Sequence, residues 1–158
     1  MITYRCAVPS AWIDFNGHMR DGYYVIAVSY ANDATMEALG LGPAYLAATR
    51  RTLYNLDNHT RFLAEAHEGD QILVEMWLAD ADQKRLNMVS RISRETDGTV
   101  LAENTSVLMH ISREGERPRA APFPSEIQAR VDAMLAEDRA AVMPRFPSTV
   151  GLSRKASL

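Results

Sequence analysis

The residues of this chain best suited to chemistry lie in the run Trp12-Ile13-Asp14-Phe15-Asn16-Gly17-His18-Met19-Arg20-Asp21-Gly22-Tyr23. A carboxylate at Asp14 can act as a nucleophile or a general base, and Asn16 and His18 can orient it or add polarising hydrogen bonds. Gly17 lets the backbone pass close to a ligand. Asp21 is a good N-cap for a helix that begins near Gly22. The first N–H groups of a helix have no partner within it, so those of Asp21, Gly22 and Tyr23 point toward an incoming oxygen. The same residues admit a plainer reading, with Asp14 closing an Asx-turn and Asn16 and His18 holding the loop.

Other chemistries find less support. The four histidines, His18, His59, His67 and His110, show no H-x-x-x-H pairing, and a lone cysteine offers no zinc set, so no metal site is expected. No G-x-S-x-G elbow, G-x-G-x-x-G or P-loop is present, which removes the usual signals for serine hydrolases and nucleotide chemistry. Arg61, Lys84, Arg85, Arg91 and Arg94 are spread through a strand-like region; singly they read as solvated sheet edges, together they could receive phosphates. Trp12, Tyr23, Tyr24, Tyr54 and Trp77 suit core packing, while those near Asp14 could also form a cation–π pocket.

The elements that must position these residues fit one domain over 1–158. Hydrophobic residues make up 47% and charged ones 23%, ordinary for a soluble protein of this size. Seventeen Lys and Arg against 20 Asp and Glu give a net charge of −3, which argues against a nucleic-acid partner. The N-terminal residues lack a basic and then apolar leader, and no apolar run reaches the ~20 residues that span a bilayer. Cys6 lies in a strand-like run and reads as a buried small hydrophobe. A cytoplasmic, non-membrane protein is expected.

Residues 2–8 alternate as a strand, and Pro9 marks its exit. A helix over 22–39 follows, capped by Asp21 and closed by Gly40, apolar enough on both sides to expect burial nearly all round. Residues 42–51 read as a short helix or a flap. Strands are expected over 53–66, 72–78, 86–95 and 99–112, with Asp82-Gln83-Lys84 and Asp97-Gly98 at the turns. No strand is expected after Pro118, which would leave the outer edge of the sheet for pairing subunits. Ser125-Glu126-Ile127-Gln128 has the form of a capping box for a second helix over 126–141, and an extended tail is expected over 143–158. The order gives an α+β fold, one antiparallel sheet wrapped round one long helix, with an additional C-terminal helix.

The segment Asp14-Phe15-Asn16-Gly17-His18-Met19 resembles the D-x-x-G-H-[VM] loop of hotdog-fold acyl-CoA thioesterases, in the branch related to hydroxybenzoyl-CoA thioesterase. Glu68-Gly69-Asp70 ahead of the meander, and Pro122 and Pro124 after it, add to the likeness, which spans residues 3 to 125. The resemblance implies a homodimer or homotetramer with active sites at the subunit interface. Asp14 would be the catalytic carboxylate and the N–H groups near Asp21 and Gly22 the oxyanion site. Asn58, His59 and Thr60 of the facing subunit would complete the pocket, and Arg61, Lys84 and Arg85 would meet CoA. Coenzyme A belongs to the substrate, and no separate cofactor is implied. The chain also resembles a narrower group of these enzymes associated with bacterial carnitine breakdown, which implies betainyl-CoA as substrate, with Trp12, Tyr23 and Tyr24 as an aromatic cage.

Two other readings stand beside this one. A hotdog hydratase or dehydratase also uses an Asp and a His near the central helix, but its loop resembles D-x-N-P-x-H, with four residues between them where Asp14 and His18 have three. A non-catalytic acyl-CoA-binding protein would carry the same fold.

Overall fold

The computed structural model of the protein describes residues 1–141 and residue 152. The strands are β1 (Ile2–Ala7), β2 (Arg51–Phe62), β3 (Gln71–Ala81), β4 (Arg85–Arg94), β5 (Val100–Ser112) and the two-residue β6 (Arg119–Ala120). The helices are α1 (Asp21–Leu39), α2 (Pro43–Thr49) and α3 (Ser125–Ala140). The strands form one antiparallel sheet in the order β1-β3-β4-β5-β2, with β6 paired to the end of β5. This is the α+β hotdog arrangement, with the sheet curled round α1.

Period-two patterning explains the core. Ile72, Val74, Met76 and Leu78 of β3, with Leu86, Met88 and Ile92 of β4, are all at most 1% exposed and face α1. Each such side chain stabilises the fold by about 1.5–3 kcal/mol relative to an exposed one. Ala27 and Ala31 are fully buried, and their small size lets α1 lie close to the sheet. Ile127 and Val131 of α3 join the same cluster. The buried Asp138 pins α3 in place: its carboxylate accepts the Leu78 N–H at 2.7 Å, where the β3 register shifts, and pairs with the Met1 amino group.

Several expectations require correction. Helix α1 is not buried all round: Gly22, Ile26, Ser29, Tyr30, Asp33 and Glu37 form an exposed stripe, because the curled sheet covers only the opposite side. Its buried positions run along the whole helix, from Tyr24 to Leu39. Its cap position is Arg20, and Asp21 is the first helical residue. Gly40 does end the helix in the left-handed region at φ 78°, with the Leu41 N–H donating to the Met36 carbonyl at 2.7 Å.

Residues 43–49 form a helix, with Pro43 at its start. The capping box at Ser125 does not form: Pro124 occupies the cap position and the Gln128 amide turns instead to Asp132 at 2.9 Å. Arg119–Ala120 do pair, because β5 runs past Arg85, the first residue of β4, and leaves Ile111 and Ser112 open to them. Cys6 is half-buried against the core, and that burial raises its thiol pKa. The tail expected over 143–158 lies outside the described residues apart from 152.

Candidate active site

The Asp14 loop is a closed turn whose backbone bonds hold one carboxylate forward. Arg20 N–H donates to the Trp12 carbonyl at 2.9 Å and Asp14 N–H to the His18 carbonyl at 2.9 Å, and Ile13 and Met19 pair as a β-bridge. Gly17, at φ 84°, takes the left-handed conformation that lets its N–H reach the Asp14 carbonyl at 3.1 Å. The Asp14 carboxylate accepts the Asn16 backbone N–H at 2.8 Å and, more weakly, the Asn16 amide at 3.4 Å. Those bonds, the backbone of His18 and the charge of Arg20 lower its pKa, with the Asn16 N–H the largest influence, so Asp14 is ionised at neutral pH.

Asp14 opens onto a cleft of about 370 Å³ whose walls include His18, Met19, Asp21, Tyr24 and the stretch Phe62–Glu65. Of the three N–H groups expected to receive an oxyanion, that of Gly22 donates to the Asp21 carboxylate at 2.8 Å and that of Tyr23 to the Arg20 carbonyl at 3.0 Å. Among the described residues this leaves the Asp21 N–H as the donor of that set without a protein acceptor. A cleft of about 400 Å³ at the far end of α1, bounded by Asp33, Glu37, Leu41 and Leu46, is slightly larger. Its carboxylates, Asp33 and Glu37, lie beside the start of the short helix α2, whose first residue, Pro43, has no N–H to offer.

The second wall, residues 62–70, brings to the cleft positions that the sequence pattern did not flag. The Met19 N–H donates to the Ala66 carbonyl at 2.7 Å, and the Tyr24 hydroxyl accepts the Ala66 N–H at 3.1 Å. Arg94 reaches the Glu65 carbonyl at 2.7 Å, Asp70 at 2.9 Å and Asp97 at 2.9 Å. Burial works to raise the Asp70 pKa, but the His67 N–H and the Arg94 guanidinium outweigh it and keep this carboxyl below its ordinary value. Glu65 lies 3.1 Å from His18 Nε2, and His67 meets the His18 ring edge to face. The sequence signal for this wall was Glu68-Gly69-Asp70, at its far end.

The remaining candidates are dispersed. Trp12 stacks on Tyr23, centroids 5.0 Å apart and planes 11° from parallel, while the Tyr24 ring turns inward against Phe62, so the three do not form a cage within one chain. Asn58 and Thr60 share a network with the buried Asn104, at 2.9 and 2.7 Å, and His59 points to the opposite face by strand alternation. The walls of the Asp14 cleft are supplied by β2 from Phe62 onward, not by Asn58, His59 or Thr60 of the same chain. Arg61 pairs with Glu103 at 3.4 Å. Lys84 and Arg85 sit in the β3–β4 turn organised by Asp82, where Arg85 is opposite Met109. Six residues of β5 separate those two places, about 20 Å along the strand, so one chain does not gather these cations into one patch.

Comparison with known proteins agrees with this geometry. A family model described as the thioesterase-like superfamily matches residues 8–131. The chain is 38% identical over 144 residues to a betainyl-CoA thioesterase of Pseudomonas aeruginosa, covering 91% of this chain and 89% of that one. It is 37% identical to an L-carnitine dehydrogenase/betainyl-CoA thioesterase of Ruegeria pomeroyi, covering 96% of this chain but only 29% of that longer protein. A Staphylococcus aureus protein solved in complex with CoA superposes with a TM-score of 0.84 at 27% identity, covering 96% of this chain and 95% of that one. An ionised loop carboxylate beside a helix N-terminus, within this fold and these likenesses, makes the chain a member of the thioesterase-like superfamily and a thioester hydrolase.

Proposed function

We propose that the protein hydrolyses betainyl-CoA to betaine and CoA, with Asp14 as the catalytic carboxylate. The observation that carries this reading is the ionised Asp14 side chain facing a cleft it shares with the open N–H of Asp21. An ionised carboxylate can attack a thioester carbonyl directly, and the lowered pKa of Asp14 keeps it in that form near neutral pH. An Asp14 oxygen bonds to the thioester carbon, the carbonyl oxygen takes the negative charge toward the Asp21 N–H, and the C–S bond breaks to release CoA. Water then cleaves the mixed anhydride, freeing the acid and restoring Asp14.

The quaternary ammonium finds two attractive groups in the cleft, the Phe62 ring, 52% exposed, and the Glu65 carboxylate. They take the place of the expected Trp12, Tyr23 and Tyr24 cage. The 38% identity with the P. aeruginosa enzyme supports the same substrate.

The same reading makes the enzyme a homodimer, or a pair of dimers, with two active sites at the interface. Strand β2 is a sheet edge, and Tyr54, Leu56, Phe62 and Leu63 along it are exposed, as is Phe15 at the loop tip at 95%. A second copy would cover this apolar edge and offer its own β2 to the pocket, in keeping with the roles implied for Asn58, His59 and Thr60. A CoA-containing substrate and the reduced Cys6 both suit a cytoplasmic setting, and no helix among the described residues is long and apolar enough to cross a membrane.

A thiol-release assay over a panel of acyl-CoAs tests the reading. Betainyl-CoA should be turned over fastest, and Asp14→Asn should lose about 10⁴-fold in kcat while still binding CoA. Equal turnover of neutral short acyl-CoAs would remove the case for a cationic acyl group. Hydration of an enoyl-CoA without thiol release would reassign the reaction.

A further inference from the structure

His18, Glu65 and His67 are far apart in the chain or separated by a bend, yet they converge at the rim of the Asp14 cleft. His18 Nε2 lies 3.1 Å from a Glu65 carboxylate oxygen, and the two imidazole centroids are 5.2 Å apart. One nitrogen or oxygen from each of the three residues lies within 4.8 Å of the others. An ion bonded to such atoms at about 2.0–2.2 Å holds them roughly 3–4 Å apart, so a small turn of exposed side chains completes the set.

The backbone that carries the three residues is already fixed. Met19 N–H to the Ala66 carbonyl at 2.7 Å ties the His18 loop to the Glu65–His67 arm, and Arg94 holds the Glu65 carbonyl at 2.7 Å. The Asp70 carboxylate, held by the His67 N–H and Arg94, adds negative charge 4.0 Å from His67 Nδ1. Two imidazoles and one carboxylate suit zinc, cobalt or nickel, while magnesium and calcium prefer oxygen ligands throughout. Local spacing could not reveal this set, because His18 joins it only through the fold.

We propose that His18, Glu65 and His67 form a binding site for a borderline divalent transition-metal ion, and that the bound ion inhibits turnover in the Asp14 cleft. Binding engages the His18–Glu65 pair and sets positive charge at the entrance, which opposes a cationic acyl group. The inhibitory half rests on the thioesterase reading above; the binding half stands without it.

Calorimetry of the full chain with zinc chloride, without substrate, reads the binding half. One ion per chain is expected, with no heat from magnesium chloride, and a cobalt(II) titration should give the visible absorption of a site containing nitrogen ligands. His67→Gln and Glu65→Gln should each weaken zinc by about 10- to 100-fold or more. His67→Gln, at an exposed position, should keep its thermal transition, and its thiol release with zinc is read against its own metal-free rate. No zinc binding, or equal binding by His67→Gln, overturns the site. Zinc should inhibit the wild type and spare His67→Gln at the same concentration. Equal inhibition of both would show that zinc acts on the released thiol or elsewhere, and would overturn the inhibitory half alone.

Discussion

The Asn16 backbone N–H donates to the Asp14 carboxylate at 2.8 Å, so the turn itself keeps the proposed catalytic carboxylate charged. The acid limb of kcat/KM should therefore fall below the ordinary carboxylate pKa of about 3.9. With the folded pKa lowered, the stability linked to Asp14 is present above the unfolded value and lost as pH falls through the folded one. Asn16→Ala retains the N–H and loses only the 3.4 Å amide contact, so its pH–rate profile should stay close to that of the wild type. A limb displaced upward by a full pH unit in Asn16→Ala would assign the effect to the side chain.

Gly17→Ala isolates the turn. The position has φ 84°, and an added Cβ would meet no atom within 4 Å, so the cost is backbone conformation alone. We expect a loss of about 1–2 kcal/mol, read by urea denaturation, and a fall in kcat as Asp14 shifts. A fully active, equally stable variant would show that the loop tolerates the strain.

Arg94 joins the second wall to the sheet through Glu65, Asp70 and Asp97. Arg94→Leu should cost about 2 kcal/mol in denaturant unfolding, because it strips partners from two carboxylates and a carbonyl together. Its kcat/KM should fall further than that of Asp97→Asn, which leaves the contact to Glu65 in place. Equal losses in the two variants would separate the wall from Arg94.

His110 is fully buried between the Tyr45 hydroxyl at 2.9 Å and the Ala121 carbonyl at 2.9 Å, and burial lowers its pKa. The unfolded chain takes up a proton that the folded chain resists, so stability should fall as pH drops from about 6.5 toward the folded pKa. His110→Phe should flatten this region of a thermal-melt series from pH 7 to 5. Tyr45→Phe leaves Nε2 without its partner and should cost about 1–3 kcal/mol at pH 7.5. An unchanged slope in His110→Phe would place the acid sensitivity elsewhere.

Much of this arrangement is legible along the chain. Gly40 and Gly98 take left-handed backbone where glycine is favoured, and the alternation in β3 matches its buried face. Burial of α1 was overestimated because Ile26 and Tyr30 look like core residues, yet they face outward on the stripe that the sheet leaves open. The candidate carboxylate Asp14 stands out from its loop, whereas the places of Glu65, His67 and Arg94 beside it follow only from the way β2, β3 and β4 come together. Chain-local patterns record periodicity and turn chemistry; they do not record which strand end arrives beside which loop.

The wall opposite Asp14 is anchored through main-chain atoms: the Ala66 carbonyl to Met19, the Ala66 N–H to Tyr24 and the Glu65 carbonyl to Arg94. None of those anchors depends on the identity of the side chains at 62–65. Selection can therefore exchange these four residues to suit a new acyl group while the reagent stays at the same distance from its target, which makes this short arm the natural place for specificity to diverge between relatives.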